Sequence, residues 1–305
     1  MKKVIVTGAN GFIGTELCKN LTDDGVQVIA VLRNEDSYSE ELKNNSLVTP
    51  VFCPMESLCN LPDLTKDMDA DTFIHLAWGG VTGQKRGNTD IQTNNIEWSI
   101  TAARVAKDIG CDRYIGVGTL AETDALNYSL SDNSTPNLVS CYGAAKVASH
   151  MMTKAVCNAI GIDHLWAYLP NSYGANDRSS NFINLAIESI CSEKPDFTPG
   201  EQLYDFVDVR DVVRGICSIA DKGIKNRSYY IGSGSPRKLK EYIIAIRDLI
   251  NPSLQLNLGA VPFHGKSADA DTFSCEKINT DTGFIACIPF EQGIRDLLIK
   301  RNLID

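Results

Sequence analysis

The sequence predicts an α/β fold: a doubly wound parallel sheet with helices on both faces, followed by a smaller C-terminal α/β lobe. Three observations carry that expectation. Over the first two-thirds of the 305 residues, apolar β-rich runs alternate with stretches of helical apolar spacing, the pattern of consecutive βα units. The β-rich runs are apolar throughout rather than at every second residue, as strands covered on both faces are. Between the first run and the first helical stretch lies "TGANGFIG", a glycine-rich βα turn of the kind that opens such folds.

In chain order, "KKVIVT", "VQVIAVL", "LVTPVF", "DTFIHLA", "RYIGVG" and "DHLWAYL" read as strands buried on both faces, with helices over 12–23, 90–109 and 142–160. After about Gly174 the regularity loosens. Helix-like segments at 180–193, 209–222, 237–250 and 290–301 are separated by short strands and by turns such as "SEKPDFTPGEQ" and "IGSGSPRK". The polar loop 79–88, "GGVTGQKRGN", follows the C-terminal end of a strand, where open α/β sheets bind ligands.

Composition narrows the partners. With 43% hydrophobic and 22% charged residues the chain is an ordinary globular protein. Its net charge of −9 argues against nucleic acid or an anionic membrane as partner, so an anionic ligand must be held locally, for example at helix N-termini. The opening "MKKVIVTGANG" lacks the pattern of a signal peptide, and no window is long enough to span a membrane; a cytoplasmic protein is expected. Ten scattered cysteines without a C-x-x-C pair and four isolated histidines give no metal pattern and fit reduced thiols.

The turn points to a dinucleotide. Gly8 allows a tight turn, Gly11 lets backbone approach a pyrophosphate and Gly14 lets the helix pack close to the strand. Asn10, Phe12 and Ile13 complete the same cofactor-binding turn, and the helix N-terminus supplies free N–H groups and a positive dipole end. At the end of the second strand, where NAD-binding folds place a carboxylate for the ribose hydroxyls, "VIAVLRNED" has Leu32 and then Arg33. A guanidinium without a carboxylate favours the 2′-phosphate of NADP(H); a solvated surface arginine is the alternative.

"SCYGAAKVASH" places Tyr142 and Lys146 four apart on one helix face. A free phenol ionises near pH 10, too high for proton transfer at neutrality. A neighbouring ammonium and an oxidised nicotinamide lower that value, and Lys146 can also bond the nicotinamide ribose. Upstream, "GVGTLAETD" ends a strand with Thr119.

Taken together, "TGANGFIG", "HLAWGG", Asn95, Thr119, "YGAAK", "NSYG" at 171–174 and "YDFVDVRDVV" at 204–213 resemble, at family-like spacing, the extended short-chain dehydrogenase/reductases that act on nucleotide sugars. The resemblance covers nearly the whole chain. It implies a Rossmann domain over 1–174, to which about 205–232 returns, and a nucleotide-sugar lobe over 175–305. It implies catalytic roles for Thr119, Tyr142 and Lys146. It adds Met55, Glu56, Leu76, Ala77, Trp78, Asn95, Val117 and Leu169 to the cofactor site. Gly79, Gly80, Thr119, Leu120, Asn171, Asn181, Phe182 and Tyr204 fall to the substrate, with Asn171 at the sugar nucleotide's phosphate. A homodimer through helices 90–109 and 142–160 is also implied.

Departures from the family pattern are informative. Met55 and Glu56 stand where an Asp often meets the adenine. Tyr204 replaces an arginine that commonly binds phosphate, leaving that charge to Arg178, Arg237, His264 or Lys266. In the 4,6-dehydratases an Asp-Glu pair directly follows the catalytic Thr, because water elimination needs an acid and a base beside the sugar. Here those positions are Leu120 and Ala121, which move no protons. Glu122 follows, either capping the next turn or orienting the sugar. The expected activity is NADPH-dependent reduction of the C4 keto group of a nucleotide-linked 4-keto-6-deoxyhexose, most simply dTDP-linked, for surface polysaccharide. "GTLAE" and "HLAWGG" are similar to that ketoreductase branch. The alternatives are a 4-epimerase with tightly bound NAD, a reductase of small ketones, and a non-catalytic NADP-binding sensor.

Overall fold

The computed structural model describes residues 1–131, 135–263 and 267–305. Its main sheet contains β1 (Lys3–Thr7), β2 (Gln27–Leu32), β3 (Val48–Phe52), β4 (Thr72–His75), β5 (Arg113–Thr119), β6 (Asp163–Leu169) and the strand Ser228–Tyr230. All seven are parallel, in the order Ser228–Tyr230, β6, β5, β4, β1, β2, β3. Strand order reverses between β1 and β4, and there the carboxyl ends of two neighbouring strands diverge to leave a crevice. The fold is the doubly wound sheet that the apolar runs predict.

The helices that follow the first five strands are α1 (Phe12–Asp23), the short α2 (Glu40–Lys43) and α3 (Leu61–Leu64), the long α4 (Thr89–Ile109), and α5 (Ala121–Leu130) with α6 (Cys141–Ile160). Asn88 caps α4, its side chain accepting from the Ile91 N–H at 2.9 Å, and Gly110 and Gly161 end α4 and α6 in the left-handed conformation. Helices α4 and α6 pack on each other, and between helices and sheet lies a core containing Ile5, Ile29, Leu58, Phe73, Ala102 and Tyr114. Each such large side chain contributes about 1.5–3 kcal/mol on burial.

One strand departs from expectation. β3 is an edge strand, with Thr49 and Phe52 exposed, and Pro50, which lacks an N–H, is tolerated there for that reason. The apolar run "LVTPVF" therefore covers one face rather than two.

The chain forms two compact units. The first is Met1–Leu169 with Val213–Ile231 and Lys277–Phe284; the second is Pro170–Val212 with Gly232–Glu276 and Ile285–Asp305. The second has its own core, built on Tyr173, Ile183, Phe206, Tyr242, Phe290 and Ile294. The Tyr242 ring meets Phe206 and Phe290 edge-on, at centroid distances of 4.9 and 4.7 Å. No helix among the described residues is long and apolar enough to cross a membrane.

Candidate active site

The glycine turn is built as its spacing requires. Gly8 has φ +70°, and a Cβ at Gly14 would collide with the Gly8 carbonyl oxygen, so α1 starts hard against the end of β1. Gly11 is the N-cap of α1 and offers no side-chain bond, which leaves the first-turn N–H groups from Phe12 onward free for a ligand. Asn10 is exposed beside them. A pyrophosphate fits this cradle on both counts: open N–H groups, and no side chain in the way. Arg33 is exposed at the end of β2, and its side chain makes no ion pair among the described residues. Met55 packs partly against the core while Glu56 points to solvent.

A buried hydrogen-bond chain ties this turn to the loop after β4. His75 is 5% exposed. Its Nδ1 lies 2.8 Å from Thr7 Oγ1 and its Nε2 lies 3.4 Å from Ser99 Oγ. Since Ser99 donates to the Asn95 carbonyl and Thr7 Oγ1 accepts from the Ala77 N–H, the chain runs consistently only with the proton on Nε2. Asn95, 1% exposed, uses both ends of its amide on Gly79, accepting from its N–H and donating to its carbonyl at 2.9 Å each. Gln92 accepts from the Trp78 indole and donates to the Gly80 carbonyl. Asn95 thus acts on the loop Leu76–Gly80, and any part it has at the cofactor runs through that loop.

Burial lowers His75 and His164 from 6.5 to about 3. Both rings are neutral when folded and gain a proton on unfolding between about pH 3 and 6.5, so stability is lost as pH falls through that window. Carboxylates lowered by ion pairs, such as Glu201, enter only further down. Denaturant titrations should show the unfolding free energy falling by about 2 kcal/mol between pH 6 and 5. A flat profile there would contradict the buried neutral rings.

Thr119, Tyr142 and Lys146 come together at the end of β5. Gly143 makes this possible: a Cβ there would strike the Ala121 carbonyl, so α6 lies against the first turn of α5 and Tyr142 reaches Thr119. Thr119 stands close enough to the phenol to favour its ionised form. Lys146 is buried, donates from Nζ to the Val117 carbonyl at 2.6 Å and sits 3.6 Å over the Trp78 ring. Desolvation pulls it down to about 7. Trp78 also meets Tyr142 edge-on at 6.2 Å. Burial raises Tyr142 above the usual phenol range, and Arg86 and Thr119 oppose that rise. Arg86 stands over the Tyr142 ring, its guanidinium carbon 4.5 Å from the centroid. Beside it opens a cavity of about 230 Å³ lined by Asp124, Asn137 and Ser140 among others. Leu120 is the first-turn neighbour of Thr119, and Leu169 is buried at the end of β6.

Glu122, open in the sequence, has a defined place. It is 1% exposed, and its Oε1 accepts from the Thr119 N–H at 3.0 Å and from the Trp166 indole at 3.2 Å. Oε2 faces His150 Nδ1 at 3.5 Å. His150 in turn stacks flat on Trp166 at 4.5 Å and contacts Tyr168 and Ser228. The carboxylate therefore holds the backbone of Thr119 from behind.

In the second unit, Asn171 is exposed on the strand Asn171–Tyr173. Asn181 caps the helix Phe182–Cys191 through the Asn184 N–H and donates to Asp177; both ends of its amide serve the fold. Half-buried Phe182 and Tyr204 flank Phe206, with centroid distances of 5.8 and 5.4 Å. Arg237 is paired with Glu291 at 2.5 Å, and Arg178 is exposed. His264 and Lys266 lie outside the described residues.

A sequence profile of the NAD dependent epimerase/dehydratase family matches residues 4–232. The chain belongs to that family. Among family relatives it is 25% identical to a dTDP-glucose 4,6-dehydratase of Haemophilus influenzae, over 97% of this chain and 96% of that one. It is 24% identical to a CDP-abequose synthase of Salmonella typhimurium, over 82% and 81%. The crystal structure of dTDP-glucose 4,6-dehydratase from Bacillus anthracis in complex with NAD superposes with a TM-score of 0.80 at 18% identity, covering 99% of this chain and 97% of that one. Family membership makes this an enzyme that modifies nucleotide sugars with a nicotinamide cofactor.

Sequence reasoning missed three members of the site. Arg86 lies inside the flagged loop 79–88, but no spacing rule ties it to Tyr142. His75 stands in the quoted "HLA" element, and Trp166 in a strand read only as buried; both act through partners far away in sequence.

Proposed function

We propose that the protein reduces the C4 keto group of a nucleotide-linked 4-keto-6-deoxyhexose, dTDP-linked, with NADPH, to supply a deoxysugar for surface polysaccharide. One observation carries the reading. Among the described residues Thr119 and Tyr142 bring hydroxyls to the end of β5 that can meet a substrate oxygen, whereas Leu120 and Ala121 are inert and Glu122 is buried behind the strand on backbone and indole partners. That suffices for protonating one oxygen and falls short of the acid and base that water elimination requires.

The Gly8–Gly14 turn would hold the nicotinamide cofactor, which would supply the hydride when bound. Tyr142 donates the proton to O4, with the Thr119 hydroxyl beside it. Lys146 and Trp78 form the floor beside the Val117 carbonyl. The first unit carries the cofactor and the second the nucleotide. Asn171 faces the sugar nucleotide's phosphate on the resemblance, and the flat, half-buried Phe182 and Tyr204 suit a base. A cytoplasmic setting agrees with ten free cysteines. Exposed Met151 and Met152 on α6 agree with a homodimer through α4 and α6.

Arg33 supports NADPH over NADH, because an exposed guanidinium with Leu32 in place of a carboxylate suits a 2′-phosphate. Arg33→Ala should raise KM for NADPH about tenfold and leave KM for NADH nearly unchanged; equal effects on both would return Arg33 to an ordinary surface role. The reading itself is tested by mixing protein, NADPH and dTDP-4-keto-6-deoxyglucose. Oxidation of one NADPH per sugar supports reduction. Sugar conversion with no net oxidation identifies an epimerase, and no conversion with dTDP-, CDP- or GDP-keto sugars removes the substrate class.

A further inference from the structure

The cation placed on the ring of Tyr142 is Arg86. It is carried on the helical turn Gly83–Gly87, which packs against the turn Leu138–Ser140 immediately before α6. That packing sets the guanidinium carbon 4.5 Å from the ring centroid, inside the range of a cation–π contact. The Nε of Arg86 is buried and bonds to none of the described residues, so its charge is not spent on a hydrogen bond there. Lys146, from the same helix as Tyr142, has its ammonium on the Val117 carbonyl and the Trp78 face.

We propose that Arg86 is a positioning residue for Tyr142: from its loop it clamps the ring and favours the ionised phenol. The inference rests on the reading of Tyr142 as that group. Among the described residues the charged and polar groups around the phenol are few. Arg86 comes from the turn after β4, Thr119 from the end of β5, Glu122 from α5 and Lys146 from α6, with Trp78 edge-on. Asp124 on α5 feels Arg86 and shares the cavity beside it. Glu122 opposes the phenolate while Arg86 and Thr119 support it. Arg86 therefore works against the burial of the phenol, which remains the larger influence, and against the carboxylate behind Thr119.

The test uses the full chain with difluorotyrosine in place of Tyr142, a fluorine probe confined to that position whose phenol ionises nearer neutrality than tyrosine. Arg86→Met should move the fluorine titration up by about one pH unit, and Arg86→Lys, which keeps the charge and loses the flat stacking group, should move it less. Lys85→Met, which removes a charge from the neighbouring exposed position, should leave the titration in place. No shift in Arg86→Met, or an equal shift in Lys85→Met, overturns the proposal. The readout needs no substrate, so it stands apart from the identity of the sugar. In native Tyr142 protein, the tyrosine limb of the activity profile should move upward with Arg86→Met. A limb that stays in place while the fluorine titration moves would reject Tyr142 as the proton donor and leave the Arg86–ring contact intact.

Discussion

Tyr142→Phe is expected to lower turnover on a 4-keto sugar nucleotide by about 10²–10⁴-fold, the usual worth of a positioned general acid. NADPH affinity should stay close to that of the unmodified protein. The ring remains to meet Trp78 edge-on and Arg86 face-on, so the variant deletes one hydroxyl and little packing. Thr119 keeps its own hydroxyl, which accepts from the Ala121 N–H at 3.3 Å, and so holds its rotamer. Stopped-flow measurement of hydride transfer, with cofactor binding followed by fluorescence, separates the two quantities. Unchanged turnover would reject Tyr142 as the proton donor, whereas lost cofactor binding would assign the residue to the cofactor pocket instead.

The second large effect belongs to Glu122. Glu122→Ala leaves the Trp166 indole N–H and the Thr119 N–H without their acceptor in a buried setting. Each orphaned donor costs about 1–3 kcal/mol, so a loss of roughly 2–6 kcal/mol in unfolding free energy is expected, with turnover falling as Thr119 loosens. Glu122→Gln keeps an oxygen for both donors and should retain most of the stability. It also removes a negative charge that opposes the Tyr142 phenolate. The tyrosine limb of the activity profile should therefore move to lower pH, opposite in sign to Arg86→Met. Equal stability in Glu122→Ala and the unmodified protein would show that the carboxylate is not the buried anchor that the geometry describes.

These residues show where sequence reading succeeds and where it stops. The sheet is legible because parallel strands covered on both faces must be apolar throughout, and six such runs alternate with helical spacing. The turn at Gly8–Gly14 is legible because close approach leaves only glycine. Tyr142 and Lys146 are legible because one helix face links them. Glu122 is different. Its role depends on Trp166, His150 and Tyr168, which converge on it only once β5 and β6 pair, with Gly118 opposite Tyr168 in the register. Arg86 reaches Tyr142 only through the packing of two short turns, and short turns carry little periodicity. Helix α5 was likewise not foreseen, because its segment "AETDALNYSL" has only a weak apolar face. Edge position, which left β3 open on one side, is set by strand order rather than by composition.

Hydride transfer to C4 is the central claim, and the most direct measurement follows the hydride itself. The protein is incubated with dTDP-4-keto-6-deoxyglucose and NADPH deuterated at the transferring position of the nicotinamide, and the product sugar is examined by NMR. One deuterium at C4, bound in a single configuration, is the predicted result. Product without deuterium at C4, or sugar converted while the deuterated NADPH remains unconsumed, would contradict it.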